Sequence, residues 1–243
     1  MKKLNIENVT YFDNIDTEYK AYILGLIYAD GTIDDKVKGN REWRLLISLQ
    51  EEDGYILDKL TKDTTSRKIR IDNPPSVQKE NWKKRAVAYI GNTYMCKKLI
   101  DLGCGPRKSQ VGMKFPDLPN HLIHHFIRGF FNGDGCVTIN KRIYKGKKII
   151  KQSFKFKIAF TSTDSQFLDV LISYLPVTKV YKRKKLRSMI VHTYWIERKN
   201  DIQKVYNYLY KNANYFFKRK YEKFNMPIKS QVVSTLTKGL ETT

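Results

Sequence analysis

The apolar positions of this chain change period along its length, and the same succession of periods occurs twice. In residues 18–30, Ala21, Leu24, Gly25 and Tyr28 fall on one stripe that Ile23 and Ile27 widen, the spacing of a helix with one buried face. Asp16 or Thr17 can cap its start and Gly31 supplies its stop. Thr32–Lys38 and Arg41–Leu49 then predict a strand pair around a Gly39-Asn40 turn. Glu51–Thr61 predicts a second helix on Tyr55, Ile56, Leu57 and Leu60. Arg67–Ile71 and Arg85–Ile90 predict another strand pair, separated by a Pro74-Pro75 turn, and Asn92–Leu102 a third helix.

The second half repeats this order. Asn120, after Pro119, can cap a helix running to Asp134. Val137–Tyr144 and Phe154–Thr161 predict a strand pair around the basic turn Lys145-Gly146-Lys147-Lys148. Asp164–Leu175 predicts a helix, Val177–Arg183 and Met189–Glu197 a second pair, and Asp201–Lys211 a third helix. Details repeat too: ISLQEEDGYILDKL (47–60) runs in step with IAFTSTDSQFLDVL (158–171), and Pro106-Arg107-Lys108-Ser109 with Lys218-Arg219-Lys220-Tyr221. The sharpest repeat is ILGLIYADG (23–31) against IRGFFNGDG (127–135), which sets Gly25 and Gly129, and likewise Asp30 and Asp134, 104 residues apart. Solenoid periods are far shorter, so the chain is read as two copies of a small α+β domain. One half spans residues 1–105, a linker 106–119, the other half 120–229, and a polar tail 230–243.

Composition sharpens the picture. The chain has 243 residues, 41% of them hydrophobic, with 16 Tyr and 12 Phe, enough to bury a core. Lys and Arg total 46 against 24 Asp and Glu, a net charge of +22, which points to a polyanionic partner. The charge is uneven: residues 1–115 hold 21 basic and 16 acidic residues, and residues 116–243 hold 25 and 8. Cys96, Cys104 and Cys136 form no ligand spacing and suit a reducing compartment. No run approaches the apolar length of a membrane span and no signal-peptide core follows the N-terminus, so a soluble intracellular protein without a membrane partner is expected.

A helix ending in Asp-Gly offers a carboxylate and free carbonyls at the negative end of its dipole. If two such helices pack through Gly25 and Gly129, Asp30 and Asp134 meet beside the axis relating the halves. Two carboxylates that close repel unless cations lie between them. Such a site suits a hard divalent ion, able to activate water and neutralise charge on a phosphate.

The two segments resemble the paired motifs of the LAGLIDADG homing endonuclease family. In the first, Gly25, Leu26, Ile27, Ala29, Asp30 and Gly31 match; the second keeps Gly129, Asp134 and Gly135, with Gly133 in place of alanine. Tyr28 and Asn132 depart at the motif's first acid. The resemblance spans about residues 18–225 and is to the monomeric, two-motif type. It implies two αββαββα halves about a pseudo-twofold axis, with the motif helices at the interface and curved antiparallel sheets laid along the major groove of double-stranded DNA. It also implies Mg²⁺ as cofactor, with Mn²⁺ and Ca²⁺ able to occupy the site, and cleavage of both strands at one long asymmetric target to leave short 3′ overhangs.

By the same resemblance, Asp30 and Asp134 carry metal and catalysis, Ala29 and Gly133 offer carbonyls, Lys108 and Lys220 lie near the metal-bound water, and Gln50 positions water, its counterpart being Thr161. The expected DNA contacts are Arg44, Arg67, Lys68, Arg70, Lys83 and Arg85 in the first half. In the second they are Lys141, Arg142, Lys155, Lys157, Lys179, Lys182, Arg183 and Arg187. The alternation Lys155-Phe156-Lys157 reads as one basic face and one core face. His121, His124 and His125 lack the acid or cysteine of a zinc set and are expected to line an exposed helix face.

Site-specific DNA cleavage is therefore the leading expectation. The alternative is an RNA maturase on the same fold, binding its host intron; intact acids in both copies favour cleavage. A regulator with an added helix-turn-helix has no length left for it. An intein is disfavoured, because the chain begins with Met and ends Glu-Thr-Thr.

Overall fold

The structure is a computed structural model that describes residues 8–35, 42–65, 67–73, 83–145 and 150–225, without the side chains of 141–145 and 150–154. The first half comprises α1 (Glu18–Asp30), β1 (Gly31–Asp34), β2 (Arg44–Gln50), a 3₁₀ turn (Glu51–Asp53), α2 (Gly54–Thr65), β3 (Arg70–Asp72), β4 (Arg85–Gly91) and α3 (Thr93–Asp101). A short α4 (Lys108–Val111) lies in the linker. The second half comprises α5 (Asn120–Asp134), β5 (Gly135–Lys145), β6 (Ile150–Ser162), α6 (Ser165–Ser173), β7 (Tyr181–Leu186), β8 (Ile190–Ile196) and α7 (Lys199–Tyr210). The two antiparallel sheets have the same order, β1-β2-β4-β3 and β5-β6-β8-β7. The α+β class and the doubled αββαββα order match the expectation.

Local chemistry fixes the ends. Thr17 caps α1, its hydroxyl accepting from the Lys20 N–H at 3.3 Å, Asn92 caps α3 and Asp164 caps α6. Asn120 is not a cap: it is the first residue of α5, Pro119 holds the cap position, and no side chain bonds there. Gly31 does stop α1, but not through a left-handed turn; its φ of −76° is extended. The chain passes straight from helix to strand, and a Cβ at Gly31 would lie 2.6 Å from the Ile27 carbonyl oxygen. Strands β5 to β8 differ from the expected bounds by up to a few residues, and helix α2 starts later because Glu51–Asp53 winds as a 3₁₀ turn. The Gly39-Asn40 turn, the Pro74-Pro75 turn, Gly146–Lys148 and the 230–243 tail lie outside the described residues.

The two motif helices are the spine. From Ala21 to Tyr28, every residue of α1 is buried, as expected of a helix enclosed on all sides. It packs along α5, and one hydrophobic core runs through both halves. The close approach is made by glycine: a Cβ on Gly25 would stand 1.9 Å from the Phe126 carbonyl oxygen, and one on Gly129 would stand 1.9 Å from that of Tyr22. At the opposite end from the acids, Arg128, fully buried, donates to Glu18 at 2.7 Å and to the Tyr215 and Leu209 carbonyls. Glu18 also accepts from the Asn214 backbone and side chain, so the pair ties both halves to the C-terminal segment.

Candidate active site and nucleic-acid interface

Asp30 and Asp134 end α1 and α5 side by side. A Cβ on Gly133 would lie 2.2 Å from that of Ala29 and 2.8 Å from Asp30 Oδ2, so only glycine lets the second helix end come this close to the first acid. Each carboxylate opens to solvent on one side and is crowded by protein on the other. Burial pushes both carboxyls up, Asp134 to about 6, and for Asp134 the charge of Asp30 adds to the rise.

Lys108 and Lys220 come to the same place from the segments that end each half. Lys108 Nζ donates to the carbonyls of Ile27 (2.9 Å) and Gly31. Lys220 Nζ donates to those of Phe131 (3.0 Å), Gly133 (3.1 Å) and Gly135 (2.6 Å). The two ammoniums thus cap the negative ends of the two helices. Burial lowers both, Lys220 to about 8. Their influence on the acids is crossed: Lys220 is the stronger of the two on Asp30, and Lys108 the stronger on Asp134.

Because both lysines bond to carbonyls, neither carboxylate has an ion pair or hydrogen bond among the described residues. Two unpaired carboxylates beside helix-end carbonyls form a hard-oxygen donor set that fits a divalent cation such as Mg²⁺, Mn²⁺ or Ca²⁺. Asp30 and Asp134 would hold it. The Gly133 carbonyl already accepts from Lys220, while Lys108 makes no equivalent bond to Ala29. The motif's first-acid positions serve the scaffold instead: the Tyr28 hydroxyl donates to the Leu102 and Lys114 carbonyls, and Asn132 accepts from the Phe217 N–H.

Above the acids, each sheet shows one face to α-helices and one to solvent. On β2, Leu45, Ile47 and Leu49 are buried, so Arg44, Leu46, Ser48 and Gln50 alternate onto the open face. Register places Arg70, Asp72, Arg85 and Tyr89 on that face. Arg70 is held by Asp72 and by the Tyr89 hydroxyl at 2.7 Å and stacks on the Tyr89 ring, which Arg44 also approaches. In the second half, register aligns Lys155, Lys157, Ala159, Thr161, Thr193, Trp195, Arg183 and Lys185 on the open face. A groove of about 270 Å³ there is lined by Thr138, Lys157, Arg183, Lys185, Arg187 and Trp195, among others.

Of the expected contacts, Arg44, Arg70, Arg85, Lys155, Lys157 and Arg183 therefore lie on the open sheet faces, and Arg187 lines the groove. Lys182 does neither: it lies on the opposite face, its ammonium 2.5 Å from Asp169 on α6, because the strand's pleat turns it toward the helices. Arg67 and Lys68 precede β3 and are exposed. Lys179 precedes β7 and covers the Tyr181 ring. Lys83 pairs with Glu52 at 3.3 Å. Lys141 and Arg142, on β5, are in register with Phe154 and Ser153 of β6, their side chains outside the described residues. Lys185, Ser48, Tyr89 and Trp195 belong to the open face and were not anticipated; strand alternation would have found Ser48, Tyr89 and Trp195, while Lys185 needs the register against β8. His124 and His125 do not line an exposed face: both are half-buried, their rings 3.8 Å apart, with His125 3.8 Å from Glu18. Only His121 is exposed.

A doubled α+β fold with paired acids beneath two basic sheets is the class of protein this geometry defines. Residues 127–229 match the family model described as LAGLIDADG endonuclease. The described residues of both halves have the fold of LAGLIDADG meganucleases. I-AabMI bound to uncleaved DNA superposes with a TM-score of 0.60 at 13% identity, over 92% of this chain and 92% of that one. I-SmaMI bound to cleaved DNA gives 0.60 at 15%, over 93% and 92%. I-LtrWI bound to target DNA gives 0.57 at 16%, over 96% and 97%. No curated protein sequence matches the chain. The family resemblance drawn from the motifs is thus shown in sequence for the second half and in fold for both. No helix among the described residues is long and apolar enough to cross a membrane.

Proposed function

We propose that this protein is a monomeric, metal-dependent, site-specific DNA endonuclease that cuts both strands of a long asymmetric target and leaves 3′ overhangs. The single observation that carries this reading is the meeting of two unpaired carboxylates, Asp30 and Asp134, at the seam of two basic sheets. The similarity to structures described as DNA-bound meganucleases, one with calcium ions present, supports it.

In this reading the open sheet faces bind the duplex, with arginines on base edges and lysines mostly on phosphates. A divalent ion held by Asp30 and Asp134 would supply charge neutralisation and activation of the attacking water. Lys108 and Lys220, fixed by carbonyls, place positive charge beside each scissile phosphate, and Gln50 orients the water. The water oxygen bonds to phosphorus, one P–O ester bond breaks, the water gives a proton to solvent, and the departing oxygen takes one from solvent. The products are a phosphate monoester and a hydroxyl.

The test is Mg²⁺-dependent cleavage of a randomised duplex library by wild type beside Asp30→Asn and Asp134→Asn. A double-strand cut lost in both variants is expected. Tight binding without a cut, in Mg²⁺ or Mn²⁺, would overturn the nuclease reading in favour of the RNA maturase or a pure binding role.

A further inference from the structure

The two halves differ where they should be most alike. A cleft of about 530 Å³ opens beside Asp30, lined by Gln50, Arg85, Gly133 and Arg219 among others. Its two guanidiniums are fixed. Arg85 donates to the Ser48 hydroxyl at 2.7 Å and the Ser48 carbonyl at 3.0 Å. Arg219, reaching across from the second half, donates to Asp53 at 2.8 Å, and Asp53 is only 2% exposed.

The internal repeat identifies what stands at the same points around Asp134. Gln50 pairs in register with Arg85, and its counterpart Thr161 pairs with Thr193. Ser48 is matched by Ala159, which offers no hydroxyl. Asp53 is matched by Asp164, which accepts from the Met113 N–H at 2.8 Å and holds no arginine. One half-site therefore has a glutamine and two anchored guanidiniums; the other has two threonines in place of Gln50 and Arg85, and Arg107, the counterpart of Arg219, pairs with no carboxylate among the described residues.

Preorganised cations aimed at developing charge are the largest single contribution to many hydrolyses. Resting on the nuclease reading above, we infer that the half-sites are chemically unequal: the scissile phosphate entering the Asp30 cleft is hydrolysed first, stabilised by Arg85 and Arg219. The opposite strand is then cut from a nicked intermediate.

The test uses a duplex carrying the library-selected site, with a different fluorophore on each strand, and supercoiled plasmid in parallel. Wild type is expected to accumulate nicked circle, with one strand cut several-fold faster. Arg85→Met should slow that strand by ~10-fold or more, the low end of what losing one such donor costs, and leave the other strand's rate within about 2-fold. Affinity for uncut duplex in Ca²⁺, measured by anisotropy, should stay within a few-fold and separates a chemical defect from lost folding or binding. The paired gain, Thr161→Gln with Thr193→Arg, should speed the slow strand. Equal strand rates in wild type, or equal slowing of both strands by Arg85→Met, would overturn the inference and leave the nuclease reading standing. No cut in either strand would overturn both.

Discussion

Gly25 and Gly129 are reciprocal: each lies against the backbone of the other's helix, one facing the Phe126 carbonyl and the other the Tyr22 carbonyl, at the same hypothetical Cβ distance of 1.9 Å. The obstacle to a methyl group is main chain, not a flexible side chain, so the helices themselves must part. Gly25→Ala or Gly129→Ala is expected to cost about 3 kcal/mol, the upper part of the usual overpacking range. The double variant should cost less than the sum, since one separation relieves both clashes. Urea melts of the three variants check this, and single changes below about 0.5 kcal/mol would sink it.

Arg128 sits inside the second motif with no exposed surface and a carboxylate from the other half. Removing one partner of a buried pair strands the other, at about 3–5 kcal/mol, so Arg128→Met should destabilise by about that amount. Burial pushes Glu18 up, but the Asn214 bonds and Arg128 outweigh it and hold the carboxyl below its ordinary value. That lowered value makes its stabilisation present above the unfolded pKa and lost as acid protonates it. Wild-type stability should therefore fall below about pH 4 more steeply than that of Glu18→Gln. Parallel acid melts would contradict the assignment.

The elements were legible because their periods are strong and occur twice, and the pairing of the halves was legible from Gly25 and Gly129. Arg128 was hidden, since a charged residue in an apolar run gives no sign of its partner 110 residues away. The crossed action of Lys108 and Lys220 was hidden for the same reason: matched sequence positions say nothing about which half's acid lies nearer. Lys182 was misplaced because a basic run such as Lys182-Arg183-Lys184-Lys185 carries no alternation to tell inward from outward. Only register against β8, whose Tyr194 and Ile196 are buried, resolves it.

Asp134 stores a cost that the site itself requires. Its folded pKa, about 6, lies above the ordinary aspartate value because of burial and then Asp30. A raised pKa means that the folded state holds the proton more tightly; the stabilisation is complete below about pH 4 and lost as pH rises through 6. At pH 7.5 without metal the ionised carboxylate is a liability. Asp134→Asn should melt higher than wild type at pH 7.5 in EDTA, the gap closing at pH 4 and narrowing when Mg²⁺ is added to wild type. The open side of the carboxylate screens part of the effect, so only the sign is predicted. A lower melting temperature for the variant at pH 7.5 would contradict it.

The sheets should grip DNA differently. In the first half, Arg70 is already bonded to Asp72 and Tyr89, which fixes its direction and suits base reading. In the second half, Arg183, Lys185 and Arg187 pair with no acid among the described residues and line an open groove, which suits phosphates. Each phosphate contact steepens the dependence of binding on salt. Lys185→Ala should therefore weaken binding evenly across sequences and reduce the log–log salt slope by about 1. Arg70→Ala should leave the slope nearly unchanged while relaxing the preference at one base pair by about 1–3 kcal/mol. Anisotropy titrations in Ca²⁺ over a range of salt, on the selected site and single-base variants of it, separate the two effects. Equal slope losses from both substitutions would mean that the two sheets bind by the same means, and the charge difference between the halves would then carry no division of labour.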